Sequence, residues 1–376
     1  MEKVNSNEHN KHPKLAQAVT GHFHKNEWSI LGTDCTTIKS ISETLTLSQS
    51  KLKAIYVDAD HDDENTTFYS KSGKMMVNCN FHMLNDEYGI QMQCNEADFV
   101  LVNGNHYRAS KQIIVVDKEK EGSLLRRISD CNNVEMILVK NNTELFPFLK
   151  SMLGENATNI PVYDIDDVKG YTDYFAKQFN ERRPEVTALI LAGGESKRMG
   201  EDKSQMDYHG MPHELYTAKL TSDMGFKTII SKQEGYKGTQ EYPILRDKLT
   251  GMGPFGAICS AMMYNPNTAW LVISCDLPFV NKELINTLIK NRDISKFATT
   301  VKAINKEFPE PLITIYEPKA YQRFLELMSR GVSCPRKVII NSDVKVVELE
   351  DERLIQNVNT PEEYKDALND IGNETE

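Results

Sequence analysis

Midway along the chain an apolar segment ends in Leu191-Ala192-Gly193-Gly194, and Arg198, Gly200 and Lys203 follow shortly after. Glycines let a backbone approach a ligand closely, and the N–H groups at a helix start face an anion. Arg198 and Lys203 add positive charge where the oxygens of a triphosphate would sit, and an arginine offers a planar fork. The spacing is not G-x-G-x-x-G, and no Gly-Lys-Ser/Thr follows, so a dinucleotide site and a P-loop ATPase are both disfavoured. A tight turn with solvated basic residues is the plain alternative. Two carboxylates further along weigh against it. Asp247, in "ILRDKLTGMGPFGAICSAM", precedes a stretch with Gly251, Gly253 and Gly256 that reads as a flexible loop able to lie flat against a base or sugar. Asp276 ends the apolar run "AWLVISCDLPFV", and Pro278 turns the chain. A carboxylate at the C-terminal end of a sheet strand lies at the crevice where α/β ligands bind. Mg²⁺ chelated by triphosphate oxygens needs only one or two protein carboxylates, a role that suits Asp276, with Asp247 as second ligand or nucleotide contact. A strand-end turn former is the competing reading of Asp276 alone.

Such residues need a framework of strands ending on one edge. Short apolar runs rich in β-branched residues recur between amphipathic stretches. In the first half they are "WSILG", "KAIYVDAD", "ADFVLVNG", "QIIVVD" and "VEMILVK". In the second they are "VTALILAGG", "FKTIIS", "AWLVISCD", "FATTVKAI", "LITIY", "KVII" and "VKVVEL". Strands alternating with helical spacers predict α/β architecture with mainly parallel sheets. A helical pattern, "YTDYFAKQF", stops at charged residues and Pro184, so a break is expected within 177–186, between a domain over 12–180 and another over 185–370.

Composition narrows the function classes. The 376 residues carry a formal net charge of −10, which disfavours a duplex nucleic-acid partner. No segment has the unbroken apolar length of a membrane span, and the polar start lacks the apolar core of a secretory signal. The seven cysteines are dispersed, with no C-x-x-C pair, as expected of reduced thiols in a cytoplasm.

Five segments occur together in a telling order: "LAGGESKRMGEDKS", "RDKLTGMGPFGA", "SCDLPFV", "PEPLITIY" and "NVNTPEEY". In order and spacing they resemble the molybdenum cofactor guanylyltransferases (MobA type), over about half the chain, from Val186 to near Leu368. The resemblance implies a Rossmann-like nucleotidyltransferase fold and transfer of GMP from GTP to the terminal phosphate of Mo-molybdopterin. By position it implies that Leu191, Ala192, Gly193 and Gly194 meet the guanosine nucleotide. Lys203 would bind its phosphates, Asp247 the nucleotide, and Asp276 the Mg²⁺, with Arg198 joining Lys203 and Asp276 in catalysis. Gly253 and Gly256 fall to the nucleotide, and Gly200, Arg336, Asn357 and Asn359 to the joined substrates. Thr360-Pro361 also reads as a helix start, so capping competes with substrate contact there. A sugar-phosphate acceptor, CTP as donor, or a non-catalytic molybdopterin-binding protein are the alternative readings. His209 and His213, in "HGMPHELY", read as a turn and helix start without an acid–base role.

The first half resembles the P-loop-like α/β domain of the molybdopterin-guanine dinucleotide adaptor proteins (MobB type), through "EWSILGTDCTTIKSISETL" and "ADFVLVNGNHYRASKQIIVVD". Gly32 is present, but no glycine precedes a lysine in the loop, and Lys39 falls inside the expected helix. Loss of that charge predicts a degenerate loop without nucleotide hydrolysis. The adaptor reading implies docking of the pterin, the transferase site or a recipient molybdoenzyme. "YVDADHDDENTT" reads as an exposed acidic loop. Cys35 reads as a small core residue, with a reactive thiol at a helix start as the alternative.

Overall fold

The computed structural model describes residues 15–59, 66–72, 75–80, 87–192, 203–233 and 241–374. It divides into two compact units, Val19–Arg183 and Pro184–Glu376, the second also taking Met1–Ala18.

The N-terminal unit is built on β1 (Glu27–Leu31), β2 (Ala54–Ala59), β3 (Thr66–Ser72), β4 (Met75–Asn80), β5 (Phe99–Asn103), β6 (Gln112–Val116), β7 (Val134–Val139) and β8 (Val162–Asp164). Their order in the sheet is β4-β3-β2-β5-β1-β6-β7-β8. The run from β2 to β8 is parallel, and β3 and β4 extend it as an antiparallel ribbon. β1 and β5 are buried at every position, as strands covered on both faces must be. The helix Cys35–Ser48 starts at Asp34, whose side chain accepts from the Thr37 N–H, and buries Ile38, Ile41 and Leu45. The helix Val168–Glu181 lays Phe175 against Trp28 and Phe99, with ring centroids 4.8 and 5.4 Å apart.

The C-terminal unit has β9 (Val186–Leu191), β10 (Lys227–Lys232), β11 (Ile244–Arg246), β12 (Ala269–Ser274), β13 (Ala298–Ala303), β14 (Glu310–Tyr316) and β15 (Val344–Leu349), ordered β11-β10-β9-β12-β14-β13-β15. β14 alone runs against its two neighbours. Alternation along the strands feeds two apolar layers. Leu189, Leu191, Trp270 and Val272 pack with Phe255, Ile258 and Phe324 on one face. Ile190, Ile230, Leu271 and Ile273 pack with Ala218, Leu284 and Leu288 on the other. Burial of each such side chain contributes roughly 1.5–3 kcal/mol. β9 is flanked by β10 on one side and β12 on the other, both parallel to it. The chain therefore reverses its direction of winding at β9, and a crevice opens beyond the C-terminal ends of β9 and β12.

Two sequence expectations are corrected. "KVII" is no strand: it lies in the helix Pro335–Ile340, where Pro335 occupies the first helical position and Val338 and Ile339 are buried. A proline there pre-sets the helical φ, which overrides the β-branched run. The glycines after Asp247 do not all form a loop, because Gly253 opens the helix Gly253–Tyr264 and Gly256 lies within it. A Cβ on Gly256 would sit 2.2 Å from the Leu249 carbonyl oxygen, so this glycine serves close packing of backbone.

Candidate active site

The crevice is assembled from strand ends that stay hydrogen-bonded past their last residues. Ala192 N–H donates to the Ser231 carbonyl at 3.1 Å, and Cys275 N–H donates to the Leu191 carbonyl at 3.2 Å. Leu191 at the end of β9 and Ala192 just after it are thereby held beside Asp276, the second residue beyond β12. Gly193, Gly194, Arg198 and Gly200 lie outside the described residues.

Asp276 is fixed by a segment remote in sequence. Asn357 Nδ2 donates to Asp276 Oδ2 at 3.1 Å, and Val358 N–H donates to the Asp276 carbonyl at 2.9 Å. Two residues on from Asn357, Asn359 Oδ1 accepts from Lys203 Nζ at 2.6 Å. The strap 357–359 thus ties the carboxylate expected to hold a metal to the lysine expected to hold phosphate. Its end is a helix cap: Thr360 Oγ1 accepts from Glu363 N–H, while the Glu363 carboxylate accepts from the N–H groups of Asn359 and Thr360. Thr360 is the cap and the Asn359 side chain is spent on Lys203, so capping and site assembly coexist.

Asp276 Oδ1 is buried and has no hydrogen-bond partner among the described residues. An orphaned carboxylate oxygen at a crevice suits a cation. No cluster of three or more metal-ligating side chains occurs among the described residues.

Asp247 follows β11, its N–H donating to the Lys232 carbonyl at 3.2 Å. Its Oδ1 accepts from Ser231 Oγ at 2.5 Å. Burial pushes its carboxyl above the usual range, partly opposed by that bond. Because Ser231 also receives Ala192 through its carbonyl, one residue couples the β9 turn to Asp247. Beneath them Lys232 Nζ lies 2.6 and 2.5 Å from the two oxygens of Glu214, both side chains 1% exposed.

Arg336, in its short helix, lines a cleft of about 640 Å³ together with Phe308, Glu310, Glu352, Asn357 and Glu363. Asn357 is common to this cleft and to the Asp276 bond, so the cleft adjoins the carboxylate. Burial pushes the Glu310 carboxyl up; the Asp276 charge adds to this, while the Leu312 N–H and Arg336 oppose it. His209 stacks on Tyr216 with centroids 3.7 Å apart, and its Nε2 is 3.1 Å from the Pro278 carbonyl. His213 is buried at a helix start. Through the Pro278 carbonyl, His209 braces the loop that follows Asp276. Gly251 and Gly253, with φ of +75° and +55°, face open space, unlike Gly256.

Sequence reading missed Ser231, Glu310 and the Lys232–Glu214 pair. Glu310 stands inside the quoted "PEPLITIY", and an acid opening a strand was its one local sign. Nothing in the spacing of Ser231 or Lys232 marks their partners.

In the N-terminal unit the loop after β1 is closed on itself. Gly32 has φ +96°, and a Cβ there would lie 2.3 Å from the Val115 carbonyl oxygen. Thr33 Oγ1 donates to Asp117 Oδ2 at 2.7 Å, and Lys140 Nζ to the same oxygen at 2.8 Å. Asp34 takes the Thr37 N–H, and its hydrogen bonds with Thr37 hold its carboxyl down to about 2. Lys39 lies within the helix. Residues 60–65 of the acidic stretch lie outside the described residues. Cys35 is partly exposed, which corrects the core reading.

An open α/β sheet whose switch-point edge brings together Leu191, Ala192 and the orphaned carboxylate of Asp276, with Lys203 tied in through the strap 357–359, has a nucleotidyltransferase-like fold. Residues 188–346 match the MobA-like NTP transferase domain. A probable molybdenum cofactor guanylyltransferase of Carboxydothermus hydrogenoformans is 30% identical over 197 residues, covering 49% of this chain and 95% of that protein. The molybdenum cofactor biosynthesis bifunctional protein of Synechocystis is 32% identical over 179 residues, 47% of this chain and 52% of that one, so the match spans about half of that relative. Among solved structures, molybdopterin-guanine dinucleotide biosynthesis protein A from Archaeoglobus fulgidus aligns with TM-score 0.42 and 20% identity, covering 50% of this chain and 99% of that one. Through its C-terminal half, the chain belongs to the MobA-like NTP transferase family of molybdenum cofactor guanylyltransferases.

Proposed function

We propose that the C-terminal unit transfers GMP from GTP to the terminal phosphate of molybdopterin carrying molybdenum, releasing pyrophosphate and forming the guanine dinucleotide cofactor. The observation that carries this reading is the strap 357–359, which joins Asp276 to Lys203 at the mouth of the β9 crevice.

The backbone of Leu191 and Ala192, continued by Gly193 and Gly194, receives the guanosine nucleotide. Gly253 at the neighbouring helix start leaves room beside it, Gly256 lets that helix pack closely on the Leu249 backbone, and Asp247, oriented by Ser231, accepts from the nucleotide's donors. Lys203 places its ammonium against the phosphates, with Asn359 fixing the position of Nζ. Arg198 and Gly200 complete the phosphate side. Asp276 would hold Mg²⁺, and its free Oδ1 supports that assignment. When bound, a divalent ion supplies charge stabilisation to the phosphate oxygens and the leaving pyrophosphate. The acceptor is a phosphate monoester, already anionic near neutral pH, so the site needs no strong general base. Bringing two anions together is the main barrier, and Lys203, Arg336 and backbone N–H groups lower it by fixed positive charge. Arg336 and Asn357, lining the adjoining cleft, face the acceptor side.

The N-terminal unit is read as an adaptor with a worn phosphate loop, docking pterin or a recipient molybdoenzyme. Asp34, Asp117 and Lys140 fill the loop region with the chain's own charges, which disfavours a triphosphate there. No helix among the described residues is long and apolar enough to cross a membrane.

The test is pyrophosphate release by purified protein given GTP or CTP with molybdopterin or a sugar phosphate as acceptor. Turnover confined to GTP and the pterin is expected. Strict use of a sugar phosphate or of CTP would defeat the proposal.

A further inference from the structure

In the N-terminal sheet β1 lies between β5 and β6, and the loop that follows it lies at their C-terminal ends. A nucleophile and a base meet there. Cys35 begins the 14-residue helix Cys35–Ser48, and its Sγ lies 3.5 Å from His106 Nε2. His106 Nε2 is in turn 3.9 Å from Asp58 Oδ1, the two side chains being 25% and 14% exposed. Three elements far apart in sequence supply this set, so it is a product of the fold and not of local spacing.

Each member is held. Asp58 accepts from Tyr56 Oη at 2.7 Å and from Asn103 Nδ2 at 2.8 Å. The buried Asn103 also carries the turn that presents the base: its carbonyl accepts from His106 N–H at 3.0 Å, and its Oδ1 from Asn105 N–H at 3.0 Å. That turn is pressed onto β1 at Gly104, where a Cβ would come within 2.7 Å of Leu31 Cβ. Arg127 donates to the carbonyls of Gly104 and Asn105, clamping it from the other side. Asn105 Nδ2 reaches the Thr33 carbonyl at 2.9 Å and lies 3.8 Å from Cys35 Sγ. The neighbouring carboxylate of Asp34 is committed to capping the helix and to Lys140 at 3.8 Å.

We propose that Cys35 is a thiol-modification site, with His106 as its base and Asp58 as the partner of the imidazolium, and that the co-reactant is a small-molecule disulfide. Attack of the Cys35 sulfur on RS–SR forms the Cys35–S–SR bond and breaks the S–S bond of the reagent. The thiol proton passes to His106 Nε2 and then to the departing RS⁻, so the products are a mixed disulfide and one RSH. Asp58 carries the countercharge while the proton is on the imidazole. The sulfur is partly exposed, whereas Cys94, Cys131, Cys259 and Cys275 are buried. Cys334 is exposed and provides an internal reference.

The experiment is reaction of the intact chain with an aromatic disulfide, followed by absorbance, with the modified cysteine located by peptide mass spectrometry. Cys35 should react at least about tenfold faster than Cys334, short of the ~100-fold that a fully positioned base contributes. Cys35→Ser should remove the fast phase, and His106→Gln should slow it to the Cys334 rate without changing Cys334. Wild-type Cys35 in urea, where the set is dispersed, should fall to the same rate, a comparison that does not depend on any variant folding. Equal rates for Cys35 and Cys334 in the native protein, no slowing in urea, or an unchanged fast phase in a folded His106→Gln would each overturn the proposal.

Discussion

Replacing Lys232 by methionine should destabilise the C-terminal unit severely, while replacing its partner as well should restore most of the loss. Lys232 and Glu214 are each 1% exposed, and Nζ lies 2.6 and 2.5 Å from the two carboxylate oxygens. Solvent screening is therefore negligible, and removing one partner strands a charge that water cannot reach. Breaking such a pair costs roughly 3–5 kcal/mol, whereas an apolar pair of similar volume is often neutral or better. For a unit of this size, that cost lowers the unfolding temperature by roughly 10 °C. The consequence reaches the site, because the Lys232 carbonyl receives the Asp247 N–H. The assay is urea unfolding followed by Trp270, which is 1% exposed, in a Trp28→Phe background that leaves it as the sole tryptophan reporter. Lys232→Met and Glu214→Leu should each shift the midpoint strongly, and the double variant should recover. Single losses below about 1 kcal/mol, or a double variant as unstable as the sum of the two singles, would show that the buried pair does not stabilise the unit in this way.

Three further outcomes follow from the site. Asn357→Ala removes the Nδ2 donor from Asp276 Oδ2 and should lower kcat/KM for guanylyl transfer at least ~10-fold, the value of a hydrogen bond to a charged group, with the melting temperature nearly unchanged. Burial raises the Asp247 carboxyl, so the folded state keeps a proton that the unfolded chain has lost, and stability falls as pH rises above the ordinary carboxylate range. Ser231→Ala removes the opposing bond and should extend that fall to higher pH, read by unfolding across a pH series. Burial, with His209 adding to it, lowers His213 from 6.5 to about 4, so stability is lost as pH drops between those values, on the order of 3 kcal/mol in all. His213→Gln should flatten that slope, and an unchanged slope would show that other groups cause it.

Much of the fold was legible because buried parallel strands declare themselves as apolar runs. "AWLVIS" is buried at every position and was read as β12, and "VTALIL" as β9. β11 was missed because three residues, "ILR", carry no periodicity, and β3 and β4 because their polar, Thr- and Asn-containing runs look like loop. "KVII" shows the opposite failure, a β-branched run that one proline turned into helix. Among the candidate site residues, the sequence marks out Asp276, Asp247, Lys203, Asn357 and Asn359 but not their pairing. Asn357 and Asp276 are 81 residues apart, and Lys203 and Asn359 are 156 apart. Such contacts exist only after the sheet has brought its strand ends together. Cys35 and His106, 71 residues apart, were hidden for the same reason.

In the proposed function the β9 turn, Lys203 and Asp276 converge on one metal-bound GTP. Calorimetric titration of GTP into the protein, with and without Mg²⁺, tests it most directly when repeated on Asp276→Ala. Binding should strengthen with Mg²⁺ in the wild type and lose that metal dependence in the variant, while the variant's melting curve stays in place. Binding indifferent to the metal in the wild type, or a metal effect that survives in Asp276→Ala, would contradict it.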